Sequence, residues 1–255
     1  MDRRLKKQLI YAVSFFVFLA IVIGGFYFVY LKPAPSCFDG IQNQKEEGID
    51  CGGPCANACM PQLNKLVLAD RILILRPDAT HISFLTRVSN PNFNYAAKSF
   101  SYSFDLLNAS GSVVQSFPGN SFIYAGEIKY ILVPNVPLPQ AQFTNVDLRL
   151  DENPDWVPAG EFRGPPQFNT TGAQTNVLAK GISVDGNIIN LDTMPFAKVT
   201  IVAIFIGKLN EVAGASQTEV GNLAPNAPQP FSIIHPPMQN IDVLGTKISA
   251  YASRQ

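Results

Sequence analysis

Residues 9–31 form 23 consecutive positions without a charged side chain, and nearly all of them are large apolar residues, aromatic residues, alanine or glycine. About 20 such residues are enough to cross the hydrocarbon core of a bilayer as a helix. A helix that packs inside a soluble domain keeps one polar face, and this run has none. The sequence therefore predicts a transmembrane helix at 9–31, preceded by a short tail at 1–8.

A cleavable signal peptide is the competing interpretation of the same run. The apolar part of a signal peptide is usually about 7–15 residues long and ends at a cleavage site made of small residues. Here the run is longer, and Tyr27, Phe28 and Tyr30 stand where small residues would be expected. These features favour a retained anchor over a cleaved leader.

The charges that flank the run predict its orientation. The N-terminal flank has four basic side chains against one acidic one: Arg3, Arg4, Lys6 and Lys7 against Asp2. On the other flank only Lys32 is near. The positive-inside rule then places the N-terminus in the cytoplasm and residues 32–255 outside the cell membrane. The lipid bilayer is therefore one predicted partner.

The charge content of the whole chain narrows the classes of protein to which it can belong. It has 19 basic and 19 acidic side chains, and charged residues make up only 15% of the total. A protein that binds nucleic acid needs a basic face to neutralise phosphates, so we expect no nucleic-acid partner. Hydrophobic residues reach 47%, too many for a disordered chain, so residues 32–255 are expected to fold.

The cysteines indicate an oxidising compartment for that folded part. All four lie in a predicted cysteine-rich module at 32–62: Cys37, Cys51, Cys55 and Cys59. Clustered cysteines of even number outside the cell are typical of disulfides. Three pairings can form, and the sequence does not choose among them. A thiolate metal site is the alternative, but the spacing lacks the paired C-x-x-C pattern of zinc sites.

Segment 37–59 resembles a small module of bacterial surface proteins with the pattern C-x-D-G-x-x-N-x-x-E-x-G-x-D-C-G-G-x-C. The last gap between cysteines is three residues here, where two is the commoner spacing. The segment carries oxygen-bearing side chains at short intervals: Asp39, Asn43, Glu46, Glu47 and Asp50. Calcium takes about six to eight oxygen ligands, which such side chains can supply. We favour a disulfide staple whose polar residues cap turns and expect no cofactor, with calcium as the alternative.

Short strand patterns fill the remainder of the chain, which predicts a mainly β fold. Phe100, Tyr102, Phe104 and Leu106 alternate with polar residues, as in a strand with one buried face. Beyond the anchor, no stretch of ten or more residues has helical spacing.

An internal similarity predicts that these strands form two units. Compared without gaps at an offset of 100 residues, positions 78–98 give six identities, among them Asn90 with Asn190. We interpret this as two tandem immunoglobulin-like β-sandwiches at 63–152 and 173–255. The segment at 153–172 begins with several prolines and glycines, which is typical of a linker.

The strand pattern after Asn90 is similar to the FxLYD domain, an immunoglobulin-like β-sandwich of bacterial envelope proteins. Phe104 and Leu106 match its F-x-L positions, while Leu107 and Asn108 replace its Tyr and Asp. The second copy departs further, with isoleucines and a glycine at the corresponding positions. The resemblance implies a fold and no catalytic residues.

Few side chains indicate a catalytic, metal-binding or phosphate-binding site. His81 and His235 have no second histidine at metal-ligand spacing, and the chain has neither a G-x-S-x-G elbow nor a phosphate-binding loop. Both histidines are therefore interpreted as ordinary strand residues. Trp156, the only tryptophan, lies in the predicted linker, where it either packs the sandwiches together or anchors a partner.

These features predict a non-enzymatic, single-pass protein of the cell envelope. Its role would be to bind an envelope protein or glycan, to mediate adhesion or to act as a structural spacer. An accessory subunit of a secretion or cell-wall machine is the alternative. An envelope hydrolase is a further alternative, and its cleft would lie between the sandwiches, near Asp155 and Trp156.

Overall fold

The computed structural model describes residues 3–27, 36–56, 59, 63–139 and 142–254. The chain divides into two compact units, Met1–Gln62 and Leu63–Gln255. The first unit holds one long helix and the cysteine-rich module, and the second holds all of the named strands. The predicted mainly β fold, with an N-terminal apolar helix and a small disulfide module, is confirmed.

The N-terminal helix α1 extends over Arg3–Phe26. Its segment Lys6–Phe26 has a mean hydropathy of 2.5, and none of that segment is buried by the rest of the protein. It is long and apolar enough to cross a membrane, in agreement with an anchor. The predicted run ends later, but residues 28–31 lie outside the described part of the chain.

The second unit begins with a sandwich that we call the first sandwich. Its strands are β1 (Val67–Leu68), β2 (Leu73–Leu75), β3 (His81–Ser89), β4 (Tyr95–Leu107), β5 (Val113–Ile123), β6 (Ile128–Pro137), β7 (Asn145–Leu150) and β8 (Asp155–Pro158). In one sheet β3 pairs with β6 along one edge and with β1 and β2 along the other. In the facing sheet β4 pairs with β5 and with β7 and β8. Their side chains share one core, where the rings of Phe84 and Phe104 stack 5.1 Å apart.

A second sandwich follows after the one-turn helix α2 (Ala159–Phe162). Its strands are β9 (Phe168–Leu178), β10 (Gly181–Asn190), β11 (Phe196–Gly207), β12 (Val212–Leu223), β13 (Pro228–His235) and β14 (Ile241–Tyr251). One sheet has the order β13-β10-β9 and the other β12-β11-β14, and a second core fills the space between them. The central strand β11 pairs as β4 does, and β10 pairs as β3 does.

Asn90 and Asn190, matched in the sequence comparison, make equivalent hydrogen bonds. The Nδ2 of Asn90 donates to the Tyr95 and Tyr124 carbonyls, at 2.7 and 3.0 Å. The Nδ2 of Asn190 donates to the corresponding Met194 and Leu223 carbonyls, at 2.7 and 3.4 Å. Both side chains are fully buried, so each satisfies carbonyls that water cannot reach.

The two sandwiches pack against each other, sheet on sheet. Leucines on the outer face of the β3 sheet meet aliphatic side chains on the outer face of the β11 sheet in one buried cluster: Leu75, Leu85 and Leu132 with Val202, Ile204, Ile206 and Ala215. The four sheets therefore form successive layers, with β3 and β11 in the inner ones. Both faces of these strands are covered, which is why β11 is an almost continuous apolar run and why Thr86 in β3 is buried.

The segment predicted as a linker, 153–172, differs from an extended connection. It contains β8, α2 and the start of β9. Phe162 of α2 is buried and stacks on Tyr124 at a centroid distance of 4.8 Å. The proline and glycine content predicted a linker. The buried ring of Phe162, however, packs on Tyr124 and holds the segment on the first sandwich.

Candidate functional site

A cavity of about 510 Å³ lies where the two sandwiches meet. The first sandwich contributes residues of β4, β5 and β6 to its wall, and the second contributes residues of β11, β12, β14 and the C-terminal segment. Volumes of about 300–1,000 Å³ are usual for sites that bind small molecules. The size and the mixed polar and aromatic lining make this cavity the candidate site.

Lys129 of β6 is the most unusual group in this wall. It is only 5% exposed, and its Nζ donates to the Phe122 carbonyl oxygen at 2.9 Å. The Nζ also lies 3.3 Å from the centroid of the Phe122 ring and 5.1 Å from that of Tyr251, so two aromatic faces stabilise the cation. Burial lowers the pKa of Lys129 to about 7, while the negative charge of Glu127 acts in the opposite direction.

The other charged side chains of the wall are paired. Arg254 donates to the Asp192 carboxylate at 2.6 Å and to the Gly164 carbonyl at 2.8 Å. Lys198 forms an ion pair with Glu219, also at 2.6 Å. Beside Arg254, the Oγ of Ser253 is buried and has no hydrogen-bond partner among the described residues.

Two tyrosines fix the shape of the cavity by joining the sandwiches. The hydroxyl of Tyr124 in the first sandwich donates to the Ala252 carbonyl at 2.9 Å. The hydroxyl oxygen of Tyr251 in the second accepts a hydrogen bond from the Tyr130 N–H at 3.2 Å. Burial raises the pKa of both phenols, so both stay protonated at neutral pH.

The sequence prediction did not include the residues of this cavity, although a signal for Lys129 exists. Along β6, Lys129 has the same parity as Ile131 and Val133, which belong to the core of the first sandwich. A lysine in phase with buried residues of a strand indicates a buried cation. Which side chains surround it depends on the contact with the second sandwich, and no local pattern predicts that contact.

In the first unit, the cysteine-rich module contains two disulfides. They join Cys37 to Cys55 and Cys51 to Cys59, which selects one of the three pairings. Gly53, in the C-G-G-x-C part of the pattern, has a φ of +57°, and a Cβ there would collide with the Lys45 carbonyl oxygen. The fold of the module therefore requires glycine at this position.

The acidic residues of the module cap its turns. Asp50 accepts hydrogen bonds from the N–H groups of Asp39 and Gly40, at 2.9 Å each. Glu46 is buried and accepts from the N–H groups of Asn43 and Asp50, at 3.1 and 3.3 Å. The N–H of Ser36 and the amide of Asn43 hold the pKa of Asp39 below its usual value. These are the hydrogen bonds that the turn-capping interpretation predicts for the polar residues of the module.

The fit of calcium to the five predicted ligands is limited. Among the described residues, one group of three potential metal-ligand atoms lies within 4.8 Å: Cys37, Glu46 and Cys55. The two sulfurs of that group form a disulfide and cannot act as thiolate ligands. The Oδ1 of Asn43 is buried and has no hydrogen-bond partner in the described part of the chain, while Glu47 is exposed. Calcium binding would require the carboxylates to leave their backbone donors and converge on this amide oxygen.

The two histidines lie in different surroundings. His81 uses its Nδ1 for contacts with both Asp78 and Thr80, at 2.9 and 3.0 Å. Hydrogen bonds from Thr80 and His81 lower the pKa of Asp78 to about 2. His235 is buried against Phe205, and its Nδ1 lies 2.8 Å from the Pro236 carbonyl oxygen. Burial lowers the pKa of His235. Neither arrangement has the nucleophile, base and orienting carboxylate of a hydrolase triad.

Trp156 and Asp155 do not line the cavity between the sandwiches. Trp156 lies in β8 opposite Ala97, where it is half-buried and packs on the core of the first sandwich. It therefore packs within one sandwich, whereas the sequence suggested packing between two or exposure to a partner. Asp155 is exposed and pairs with Ser99 in the same ladder.

Comparisons with known proteins add little to this geometry. No protein-family model matches the chain, and no curated protein matches it. Among solved structures, the chain is similar to a transglutaminase from red sea bream, with 12% identity and a TM-score of 0.19. The match covers 74% of this chain and only 31% of that one. So low a score assigns neither a fold nor an activity.

Proposed function

We propose that the chain is a single-pass, membrane-anchored protein whose extracytoplasmic part binds a small ligand without catalysing a reaction. The observation that carries the binding role is the cavity between the sandwiches, with the buried Lys129 in its wall. A spacer or an adhesin that acted through its outer surface would have no use for a cavity that encloses a charge.

The proposed orientation rests on two independent features. Basic residues precede the apolar helix, so the positive-inside rule places the N-terminus in the cytoplasm. The module that follows the helix holds two disulfides, which persist outside the reducing cytosol. Both features support a position of residues 32–255 outside the cell membrane.

We further propose that the two sandwiches derive from one repeated unit of the FxLYD-like type. The equivalent pairings of β3 with β10 and of β4 with β11 support a repeat, as do the equivalent hydrogen bonds of Asn90 and Asn190. The cysteine-rich module, which resembles a module of bacterial surface proteins, would then stiffen the connection to the anchor. Calcium at Asn43 would add to that stiffness. An envelope protein or glycan is the second class of partner that we propose for the extracytoplasmic part.

Protease accessibility tests the orientation. In right-side-out vesicles, external protease should remove an epitope tag placed after Gln255 and leave a tag at the N-terminus intact. Under non-reducing conditions, peptide mapping should find Cys37 joined to Cys55. The reverse protection pattern, or four free thiols in protein taken directly from cells, would contradict the proposed topology.

A small-molecule screen tests the binding role. The full chain in detergent micelles is screened by NMR against a panel that contains neutral, cationic and anionic fragments. At least one fragment class should bind to the wild type and lose binding in Thr200→Phe, which fills the cavity. The control is Thr144→Phe at an exposed position outside the cavity. No binding by any class, or binding that Thr200→Phe leaves unchanged, counts against the cavity as the site.

An accessory subunit of a larger envelope machine is the second candidate. The observation that favours it is a pair of leucines at one end of the second sandwich: Leu209 is 90% exposed and Leu244 is 93% exposed. The N–H of Lys208, next to Leu209, donates to the Asn240 carbonyl oxygen just before β14, the strand that carries Leu244. Mild detergent extraction should then retain a stoichiometric complex that Leu209→Asp disrupts. Persistence of the complex in that variant would exclude this end as the contact.

A further inference from the structure

We infer that the cavity binds a small organic acid, whose carboxylate pairs with Lys129 and whose apolar body lies against the aromatic wall. This inference rests on the proposed binding role and specifies the class of ligand. It follows from charge, from hydrogen-bond capacity and from the shape of the lining.

Lys129 is the cavity cation without an anionic partner. Arg254 is paired with Asp192 and Lys198 with Glu219, each at 2.6 Å. Among the described residues, no carboxylate lies within 4.0 Å of the Lys129 Nζ. Glu127 acts on Lys129 only through a longer-range charge interaction, which offsets part of the cost of removing this cation from water, and an anion bound in the cavity would offset more of it. The cavity wall therefore favours a ligand that carries a negative charge next to Lys129.

The hydrogen-bond capacity of the wall agrees with a carboxylate. An ammonium group has three donors, and one of those on Lys129 reaches the Phe122 carbonyl. The Oγ of Ser253 is a further buried group that has no partner among the described residues. Each group can donate to an oxygen of a ligand in the cavity that both residues line, and the bond from the ammonium is strengthened by its charge.

The number of unpaired charges favours a monoanion over a dianion. One unpaired ammonium balances one carboxylate, whereas a phosphate dianion would keep an uncompensated charge in a desolvated site. The aromatic side chains that line the cavity provide an apolar wall for the remainder of the ligand: Tyr102, Phe122, Phe196 and Tyr251. A flat or branched apolar acid fits this lining better than a sugar acid, which would bury its hydroxyl groups against rings.

The test compares an acid with its neutral isostere in the full chain. The probes are 2-naphthoate, 2-naphthamide and inorganic phosphate, titrated by calorimetry into protein in detergent micelles, with empty micelles subtracted. The pH is kept slightly below the pKa of Lys129. The variants are Lys129→Met, and Lys180→Met as the control, because Lys180 is exposed and does not line the cavity.

We expect wild-type protein to bind 2-naphthoate about tenfold or more tightly than 2-naphthamide. Lys129→Met should abolish that preference, because it weakens binding of the acid and leaves binding of the amide unchanged, while Lys180→Met should keep the preference. Equal affinity for acid and amide overturns the inference but leaves the binding role in place. Tighter binding of phosphate than of 2-naphthoate, or no binding of 2-naphthoate, likewise overturns it. The binding role itself fails only if the mixed fragment panel also finds no ligand.

Discussion

At the scale of single residues, Asn90 and Asn190 show why the two sandwiches have the same residue at one of the matched positions. Each amide donates to two buried carbonyls, and its Oδ1 accepts the N–H two residues later, from Asn92 and Asp192 respectively. A shorter or apolar side chain leaves those carbonyls without donors in a dry environment. The identity at these positions therefore has a structural cause.

Replacing either asparagine with alanine should destabilise the protein. Each substitution leaves two buried carbonyls unpaired, so we expect Asn90→Ala and Asn190→Ala to lower the free energy of unfolding by about 2–4 kcal/mol. Urea denaturation in detergent measures the change. Asn176→Ala is the control, since Asn176 is exposed. A loss no larger than that of the control would show that the amide bonds contribute little.

Lys129 should make stability rise with pH. Burial lowers its pKa to about 7 in the folded protein, whereas an unfolded lysine has a pKa of 10.5. Between these values the unfolded chain binds more protons, so raising the pH favours folding, by about 1.4 kcal/mol per pH unit at most. Two neighbouring groups of Lys129 also have shifted pKa values, since burial raises the pKa of the Glu127 carboxyl and that of the Tyr251 phenol.

Urea denaturation between about pH 7 and pH 9.5 measures this slope. Lys129→Met removes the titrating group and should flatten the slope, while Lys198→Met keeps it. At neutral pH, Lys129→Met should also be more stable than wild type, since methionine fills the same space without a buried charge. Identical slopes in wild type and Lys129→Met would show that the lysine stays fully charged when folded.

At the scale of elements, β8 is a strand that the proline-rich and glycine-rich composition of its segment does not predict. It follows Pro154 and has only four residues, of which the last is Pro158. It nevertheless pairs with β4. Its tryptophan covers the core of the first sandwich. The strand therefore belongs to the first sandwich, and the connection between sandwiches begins after it.

Trp156→Ala should destabilise this element by about 3 kcal/mol, because it removes a large ring from the edge of the core. Trp156→Phe is the matched control and should retain most of the stability. Chemical denaturation followed by circular dichroism gives both values. If alanine and phenylalanine were equally tolerated, the ring would be a surface residue available to a partner.

The disulfides of the module should differ in their contribution. Cys37–Cys55 closes a separation of 18 residues and Cys51–Cys59 one of 8. Loop-closure entropy gives about 3 kcal/mol for the first and about 2.5 kcal/mol for the second. Protease digestion should therefore cut residues 36–56 somewhat faster in the Cys37→Ser/Cys55→Ser variant than in Cys51→Ser/Cys59→Ser. The opposite order would show that local packing outweighs loop length.

At the scale of the whole molecule, Leu63–Gln255 is one compact unit although it holds two sandwiches. The leucines of the inner first-sandwich sheet and the aliphatic residues of β11 shield each other from water. This contact creates the cavity and brings Tyr251 to Lys129. Ligand binding at this position would depend on the contact between the sandwiches as much as on either sandwich alone.

A charge in this contact should uncouple the sandwiches. Leu132 is 7% exposed and Val202 is 2% exposed, so Leu132→Asp or Val202→Asp buries an unpaired carboxylate and costs about 3–5 kcal/mol. Calorimetry of the full chain should show one transition of this unit in wild type and two in the variants. Leu209→Asp at an exposed position is the control. A single unchanged transition in Leu132→Asp would mean that the contact adds little to stability.

The sequence by itself determined the features that depend on local pattern or composition. An uncharged apolar run forms the N-terminal helix, alternation at 100–106 forms part of β4, and clustered cysteines form disulfides. These follow from backbone geometry and from transfer of side chains out of water, which act over a few residues. Tertiary structure decided which cysteines pair, where Trp156 packs and what surrounds Lys129. The cysteine pairing depends on how the turns of the module bring the sulfurs together. The surroundings of Trp156 and Lys129 depend on residues that are distant in the chain, which the packing of β-strands and sheets selects through shape and burial.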